Sequence, residues 1–188
     1  MSSKATTHNQ TKHWQALDAA HHIHPFTETR ALNAKGVRVI TKADGVNLWD
    51  SEGHKLIDGM SGLWCVNVGY GRTELAEAAY EAMKQLPYYN LFFQTTNPPA
   101  TELAAKLANV LPAGLNRIFF ANSGSEANDT ALKMIRYYWN LQGKTQKKIH
   151  ISREYAYHGV TMAAASLSGL TRMHPQFDPL GRLPGDAE

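Results

Sequence analysis

The sequence predicts an α/β chain in which an N-terminal β-meander leads into the first part of a mostly parallel sheet flanked by helices. Three observations predict it. Residues 36–58 hold three short apolar runs separated by Asp44-Gly45 and Glu52-Gly53, the turn signals of a meander. From residue 117 onward, short apolar runs alternate with helical stretches, as a parallel sheet with crossover helices requires. A composition of 43% hydrophobic and 19% charged residues in 188 is globular, sized for one ordinary domain or part of a larger one.

The elements follow in chain order. Residues 1–12 are polar and read as a frayed tail, and Trp14 to Ala20 as a short helix. The strands of the meander are expected at Val37–Thr41, Val46–Trp49 and Lys55–Asp58. Gly59 to Arg72 is a glycine-rich loop that carries Trp64 and Tyr70. Thr73 is placed as the N-cap of a helix with Leu75, Ala79, Met83 and Leu86 on one face, which Pro87 ends. Tyr88 to Phe93 is a dense aromatic segment. Pro98 and Pro99 open another helix, Ala100 to Val110, with Leu103, Leu107 and Leu111 in register. Arg117–Ala121 is a short buried strand. Ser125 to about Leu141 is a helix with Ala127, Ala131, Met134/Ile135 and Tyr138 on its inner face, and Lys147–Ser152 is the next strand. Val160 to Leu170 is a small-residue helix or loop, followed by a stretch rich in proline and glycine (Pro175, Pro179, Gly181, Pro184, Gly185).

Charge and cysteine usage exclude several classes. The net charge of +3 (19 basic minus 16 acidic residues) is scattered, without a nucleic-acid or membrane footprint. Lys144 to Lys148 reads as a solvated helix end. The single cysteine, Cys65, rules out an internal disulfide framework and suits a reducing compartment; its apolar neighbours favour a packed thiol. No apolar run reaches the ~20 residues of a membrane span, and the polar start does not form a signal-peptide core, so a cytoplasmic protein is expected. His21, His22 and His24 invite a metal reading. No Cys or carboxylate is seen at matching spacing, and Pro25 forces an extended loop, so no metal site is expected.

Two segments carry candidate chemistry. Asn122-Ser123-Gly124-Ser125-Glu126 runs from an apolar strand into a helix. Ser123 and Glu126 stand in capping-box spacing, Gly124 admits a close ligand, and Ser125 offers a hydroxyl and an N–H. The turn is therefore either a capped helix with nothing bound or an anion site. Neither a P-loop lysine nor Gly-x-Gly-x-x-Gly is present, which disfavours a triphosphate or dinucleotide. Tyr155-Ala156-Tyr157-His158-Gly159 ends the next strand, on the same rim. Tyr157 either packs in a core or stacks on a planar ring whose phosphate sits at Gly124-Ser125.

The strings Leu48-Trp49-Asp50, Asp58 to Gly71, Leu86 to Phe93, Asn122 to Asn128 and Tyr157-His158-Gly159 resemble those of the class III (ω-) aminotransferases, enzymes of fold type I that depend on pyridoxal 5′-phosphate (PLP). The resemblance spans residues ~14 to ~172. Leu-Trp-Cys-Val-Asn-Val-Gly-Tyr-Gly and His-Pro-Phe-Thr resemble the ω-amine, β-alanine and polyamine:pyruvate branch. It implies that Ser123, Gly124 and Ser125 hold the PLP phosphate, that Tyr157 stacks on the pyridine ring and that His158-Gly159 shape the same wall. It also implies that Phe26 and Trp64 line the amine pocket and that Phe92 reaches into a partner subunit's site. The implied partners are an amine donor, a pyruvate-like keto acid and a second copy of the chain in a dimer or tetramer. The implied division is a tail (1–12), an N-terminal segment belonging to the small domain and linker (13–72), and the first part of the large PLP-binding domain (73–188).

The resemblance also implies what is not here. The Schiff-base lysine and the carboxylate on the pyridinium nitrogen are expected after the Tyr-His-Gly motif, beyond Glu188. Lys133, Lys144, Lys147 and Lys148 do not fill the role. The 188 residues are thus expected to be the N-terminal portion of a transaminase, inactive alone. An aminomutase or decarboxylase of the same fold, and a non-catalytic fragment, stand as alternatives.

Overall fold

The structure, a computed structural model, describes residues 2–177 and 179. It divides into two units, Met1–Tyr89 and Asn90–Glu188. The division falls after Tyr89 where the sequence reading sets its boundary at residue 72. A backbone bridge between Gly45 and Tyr70 ties the end of the glycine-rich loop, from which the next helix continues, to the meander.

In the first unit a helix α1, Ser2–His21, takes in both the stretch expected as a tail and the short helix expected at 14–20. It is anchored from its middle: the Thr11 hydroxyl donates to Ser51 Oγ at 2.7 Å, both residues buried, and Gln15 Nε2 donates to Val37 O at 2.8 Å. A short helix α2, Thr29–Lys35, is capped by Glu28, whose carboxylate accepts from the Arg30 and Ala31 amides. Then comes the expected meander: β1 Ile40–Asp44, β2 Asn47–Asp50 and β3 Lys55–Ile57, antiparallel in the order β1-β2-β3. Asp44 pairs with Asn47 across the hairpin, and Gly45 supplies the positive φ of +55° that the turn needs. The buried Asp50 closes the second turn by accepting from the Glu52 and His54 amides and from His54 Nδ1. A four-residue turn α3, Ser61–Trp64, precedes α4, Thr73–Gln85. Thr73 is the first helical residue of α4; the cap position is Arg72, which makes no side-chain cap bond and pairs with Glu74. Cys65 is exposed, its thiol 3.4 Å from Leu63 O, so the expected packed thiol is not found.

The second unit contains α5 Pro98–Val110, α6 Gly124–Leu141 and α7 Met162–Leu167, then a 3-10 turn Thr171–Gln176 that includes Pro175. Asn97 caps α5 by accepting from the Ala100 amide, and the prolines expected to open the helix are its first two residues, so it starts two residues before the expected Ala100. Lys144 and Lys147 lie over the Trp139 ring, and Lys148 donates to Asn140 Oδ1, so the basic cluster follows the end of α6 as expected. Residues 117–121 and 147–152, expected as strands, form no ladder: among the described residues the only sheet is β1-β2-β3. A strand exists through its pairing, and without a neighbour these apolar runs stay irregular and open, Ile151 being 93% exposed. The apolar faces of α4 and α6 are likewise uncovered, and Ala164 is the one buried hydrophobic residue among those described. The face of α6 with cover is the polar one, Ser125, Asn128 and Asp129, not the expected Ala127, Ala131, Met134/Ile135 and Tyr138. No described helix is long and apolar enough to cross a membrane. Gly181, Pro184 and Gly185 lie outside the described residues.

Candidate functional site

The anion turn is built by helix capping. Ser123 is extended (φ −153°, ψ 161°) and its Oγ accepts from the Glu126 amide at 3.2 Å. Glu126 reaches back, but to Asn122 (N at 3.0 Å, Nδ2 at 3.1 Å), one residue before the capping-box position. The N–H groups of Gly124 and Ser125 belong to the first turn of α6 and have no acceptor within the helix. A Cβ on Gly124 would meet nothing within 4 Å. Two outward amides, a serine hydroxyl on either side, open space above a glycine and the positive end of an 18-residue helix form a donor set that fits a phosphate.

The Tyr157-His158-Gly159 loop lies directly on this turn. Gly159 is buried at φ +135°, and a Cβ there would stand 2.6 Å from Ser125 Oγ and 2.8 Å from Ser125 Cα. Only glycine allows so close an approach. The Val160 amide donates to Ser125 Oγ at 3.0 Å, so this oxygen is an acceptor for the loop while its own proton remains available. The His158 amide donates to Ser168 Oγ at 2.9 Å, and Asn128 Nδ2 donates to His158 O at 2.6 Å. Before the motif, Tyr155 and Ala156 exchange backbone bonds with Gly169. Tyr157 is 56% exposed, which is not the environment of a core residue. The structure thus brings Ser123, Gly124 and Ser125 together with His158 and Gly159, through bonds between a loop and a helix.

The three pocket candidates are placed separately. Phe26 and Trp64 are in the first unit, Phe92 in the second. Each is exposed and sits in an irregular turn: Phe26 has φ +49°, Trp64 φ +67°, and Phe93 beside Phe92 φ +54°. The ring neighbour of Phe92 is Phe93, centroids 6.1 Å apart.

Sequence reasoning missed three aspartates that hold these turns. Asp58 accepts from the Met60 and Gly62 amides and from the Tyr70 hydroxyl, organising the loop of Trp64. The Tyr70 bond holds the Asp58 carboxyl below its ordinary value against the opposing effect of burial, and the Gly62 and Met60 amides add to it. Asp129 Oδ1 accepts from the Thr161 hydroxyl and the Ala164 amide. Asp18, one turn before His22, is the carboxylate the histidine reading did not see. It accepts from His22 Nδ1 at 3.0 Å and His24 Nε2 at 2.9 Å, and the two rings lie 4.2 Å apart. Burial raises the Asp18 pKa, but the His24 and His22 bonds outweigh it and the net shift is downward. These hydrogen bonds account for the three groups lying together in front of the Phe26 turn. The signal in the sequence was the Asp-x-x-x-His-x-His spacing.

Comparison with known proteins gives the family of the chain. The model of the family Aminotransferase class-III matches residues 30–185. The chain is 56% identical over 172 residues to putrescine–pyruvate aminotransferase of Pseudomonas aeruginosa, covering 92% of this chain and 38% of that protein. It is 43% identical over 141 residues to diaminobutyrate–2-oxoglutarate transaminase of Halomonas elongata, covering 75% and 30%. A solved (S)-enantioselective omega-transaminase from Thermomicrobium roseum aligns with a TM-score of 0.88 and 42% identity, over 92% of this chain and 38% of that one. The chain therefore spans between 30% and 38% of the length of these relatives. The likeness in structure gives the fold as the fold type I α/β architecture of these transaminases. With the family match running through both segments of the site, the chain belongs to the class-III aminotransferases.

Proposed function

We propose that this chain carries the phosphate-binding and ring-facing half of a PLP site, in a transaminase that moves an amino group from an ω-amine, diamine or β-amino acid to pyruvate. The observation that carries the reading is the seat of Gly159 on Ser125, which sets an exposed tyrosine beside an open ring of phosphate donors. The putrescine–pyruvate relative supports the choice of amine and acceptor. When bound, PLP supplies the electron sink through which amino groups are exchanged. The residues of the chain bind and orient it. The amides of Gly124 and Ser125 and the hydroxyls of Ser123 and Ser125 hold its phosphate, with the dipole of α6 favouring the negative charge. Tyr157 covers one face of the ring, and His158 and Gly159 shape the wall that excludes water there. Phe26 and Trp64 line an apolar amine pocket, suited to the methylene stem of a diamine as well as to an aryl group, and Phe92 reaches into a partner subunit's site. The exposed aromatics around Phe92 suit a homodimer interface, and the reading is completed by a cytoplasmic location.

The protein expressed from the complete reading frame, supplied with PLP, putrescine and pyruvate, is expected to form alanine. PLP binding without alanine from putrescine, β-alanine or an aryl-alkyl amine would remove the substrate reading and leave an aminomutase or decarboxylase. No PLP binding at all would remove the cofactor reading.

A further inference from the structure

Ser125, Asn128 and Asp129 stand at positions i, i+3 and i+4 of α6 and so share one face. All three direct their side chains to one segment 30 to 35 residues away. Ser125 Oγ accepts from the Val160 amide, and Asn128 Nδ2 donates to His158 O. Asp129 Oδ1 takes both the Thr161 hydroxyl at 2.7 Å and the Ala164 amide at 2.9 Å. The last bond is notable for its place. Ala164 is the third residue of α7, whose own cap residue, Thr161, makes no cap bond. Asp129 supplies that cap from another helix, so the start of α7 and the loop before it are fixed by α6. Around this clasp lie the best-covered residues of the second unit: Gly159, Ala164, Ser166 and Ser168.

We propose that Asn128 and Asp129 are positioning residues of the cofactor site, which latch the Tyr157-His158-Gly159 wall against the phosphate turn without touching the cofactor. The inference rests on the reading of residues 123–125 and 157–159 as a PLP site. Asn128 fixes the carbonyl of His158, one residue past Tyr157, and Asp129 fixes the backbone after Gly159. Together they determine where the tyrosine stands relative to the Gly124 and Ser125 amides.

The test uses the protein from the complete reading frame and three variants. Asp129→Ala removes both bonds, Asp129→Asn keeps the Oδ1 acceptor, and Asn128→Ala removes the His158 bond alone. Three quantities are read: the Kd for PLP, the induced circular dichroism of PLP at saturation, and the melting temperature of the cofactor-free protein. Asp129→Ala is expected to raise Kd about tenfold or more and to reduce the induced signal even at saturation. Asn128→Ala should raise Kd about threefold to tenfold, and it serves alone if Asp129→Ala does not fold. Asp129→Asn should restore the wild-type signal. Wild-type Kd and induced signal in Asp129→Ala or Asn128→Ala, with only the melting temperature lowered, would overturn the inference. A wild-type protein that binds no PLP would instead overturn the site reading on which it depends.

Discussion

Two loops carry candidate site aromatics, and each is held by an aspartate, but at opposite sequence range. In the first unit Asp58 ties down the loop that follows it immediately, reaching no farther than Tyr70, and the loop absorbs the cost in its own backbone: Ser61, Gly62, Leu63 and Trp64 all have φ between +48° and +67°. In the second unit Asp129 holds a loop 32 to 35 residues away, and only Tyr155 and Gly159 of residues 153–161 have positive φ. A local staple forces the chain into a strained turn. A distant staple uses a rigid helix as its template and leaves the loop relaxed, at the cost of an approach so close that one position must be glycine.

The sharpest test of that contrast is a methyl group at each glycine. Gly159→Ala places a Cβ 2.6 Å from Ser125 Oγ and 2.8 Å from Ser125 Cα, at φ +135°. Backbone of a helix cannot yield, so the loop must lift, at a cost of about 3 kcal/mol or more. PLP binding should fall by at least about a hundredfold. Gly62→Ala meets Val66 Cγ2 at 2.8 Å and Tyr70 Oη at 3.0 Å, at φ +58°. Neither is backbone: the Val66 methyl can rotate and the Tyr70 ring, held by Asp58, need give only slightly, and φ near +58° is left-handed helical space, so the cost should be about 1 kcal/mol. Denaturant unfolding of the two variants measures both. Equal losses would break the contrast.

The same contrast explains what could be read from sequence. The meander was legible because its turns are local: Asp44-Gly45 and the Asp50 turn need only neighbours. The starts of α5 and α6 were legible to within two residues for the same reason, Asn97 and Ser123 each capping within three residues. The anion turn and the Tyr157 motif were legible as separate strings. Their contact was expected from a shared sheet rim, whereas it rests on Ser125, Asn128 and Asp129, whose partners lie 30 or more residues away. The inner face of α6 was misread because apolar periodicity reports which side prefers cover, and here the covered side is the one with hydrogen-bond partners. Residues 117–121 and 147–152 carry the β-branched and aromatic signal of strands, but pairing decides strands, and it is absent at both.

Removing the local staple should leave the distant one untouched. In Asp58→Ala the Met60 and Gly62 amides and the Tyr70 hydroxyl lose their acceptor. Amide exchange across residues 60–64 should rise about tenfold, with residues 157–164 unchanged. If Trp64 lines the amine pocket, KM for the amine rises while the Kd for PLP stays at its wild-type value. A parallel loss of PLP affinity would show that the two loops are one cooperative unit.

Acid separates the units by a smaller margin. In the first unit the pKa values of Asp58, Asp18 and Asp50 are all lowered. The Tyr70 bond dominates at Asp58; at Asp18 and Asp50 burial pulls upward and histidine bonds, with backbone amides at Asp50, outweigh it. A lowered carboxylate contributes stability that is complete above its unfolded value of about 4 and lost as pH falls through the folded value. In the second unit His150 is lowered, by burial and then by the charge of Arg136, and its Nε2 has no hydrogen-bond partner. Its contribution is complete above the unfolded value of about 6.5 and lost as pH falls below it. Denaturant unfolding of the second unit should therefore come at lower denaturant by pH 5.5, while the amides of the meander keep their exchange protection, corrected for intrinsic rates, until below pH 4. Loss in the reverse order would contradict the assignment.

The smallest effect concerns two tryptophans held by lysines. Trp49 lies between Lys42 and Lys55 (Nζ to ring centroid 4.9 and 5.5 Å), which are its register partners on the two neighbouring strands. Trp139 is covered by Lys147 at 3.6 Å and Lys144 at 5.2 Å, from the turn that follows α6. Strand register would keep Lys42 over Trp49 when Lys55 is removed, so Lys55→Ala should cost at most about 0.5 kcal/mol. Lys147 is both the nearer cation and the one held by a turn rather than a ladder, so Lys147→Ala should cost about 1 kcal/mol and loosen the end of α6. Thermal melts followed by tryptophan fluorescence measure each. A larger loss from Lys55 than from Lys147 would mean that proximity to the ring matters less than the ladder, and that the meander depends on its surface cations more than its backbone pairing implies.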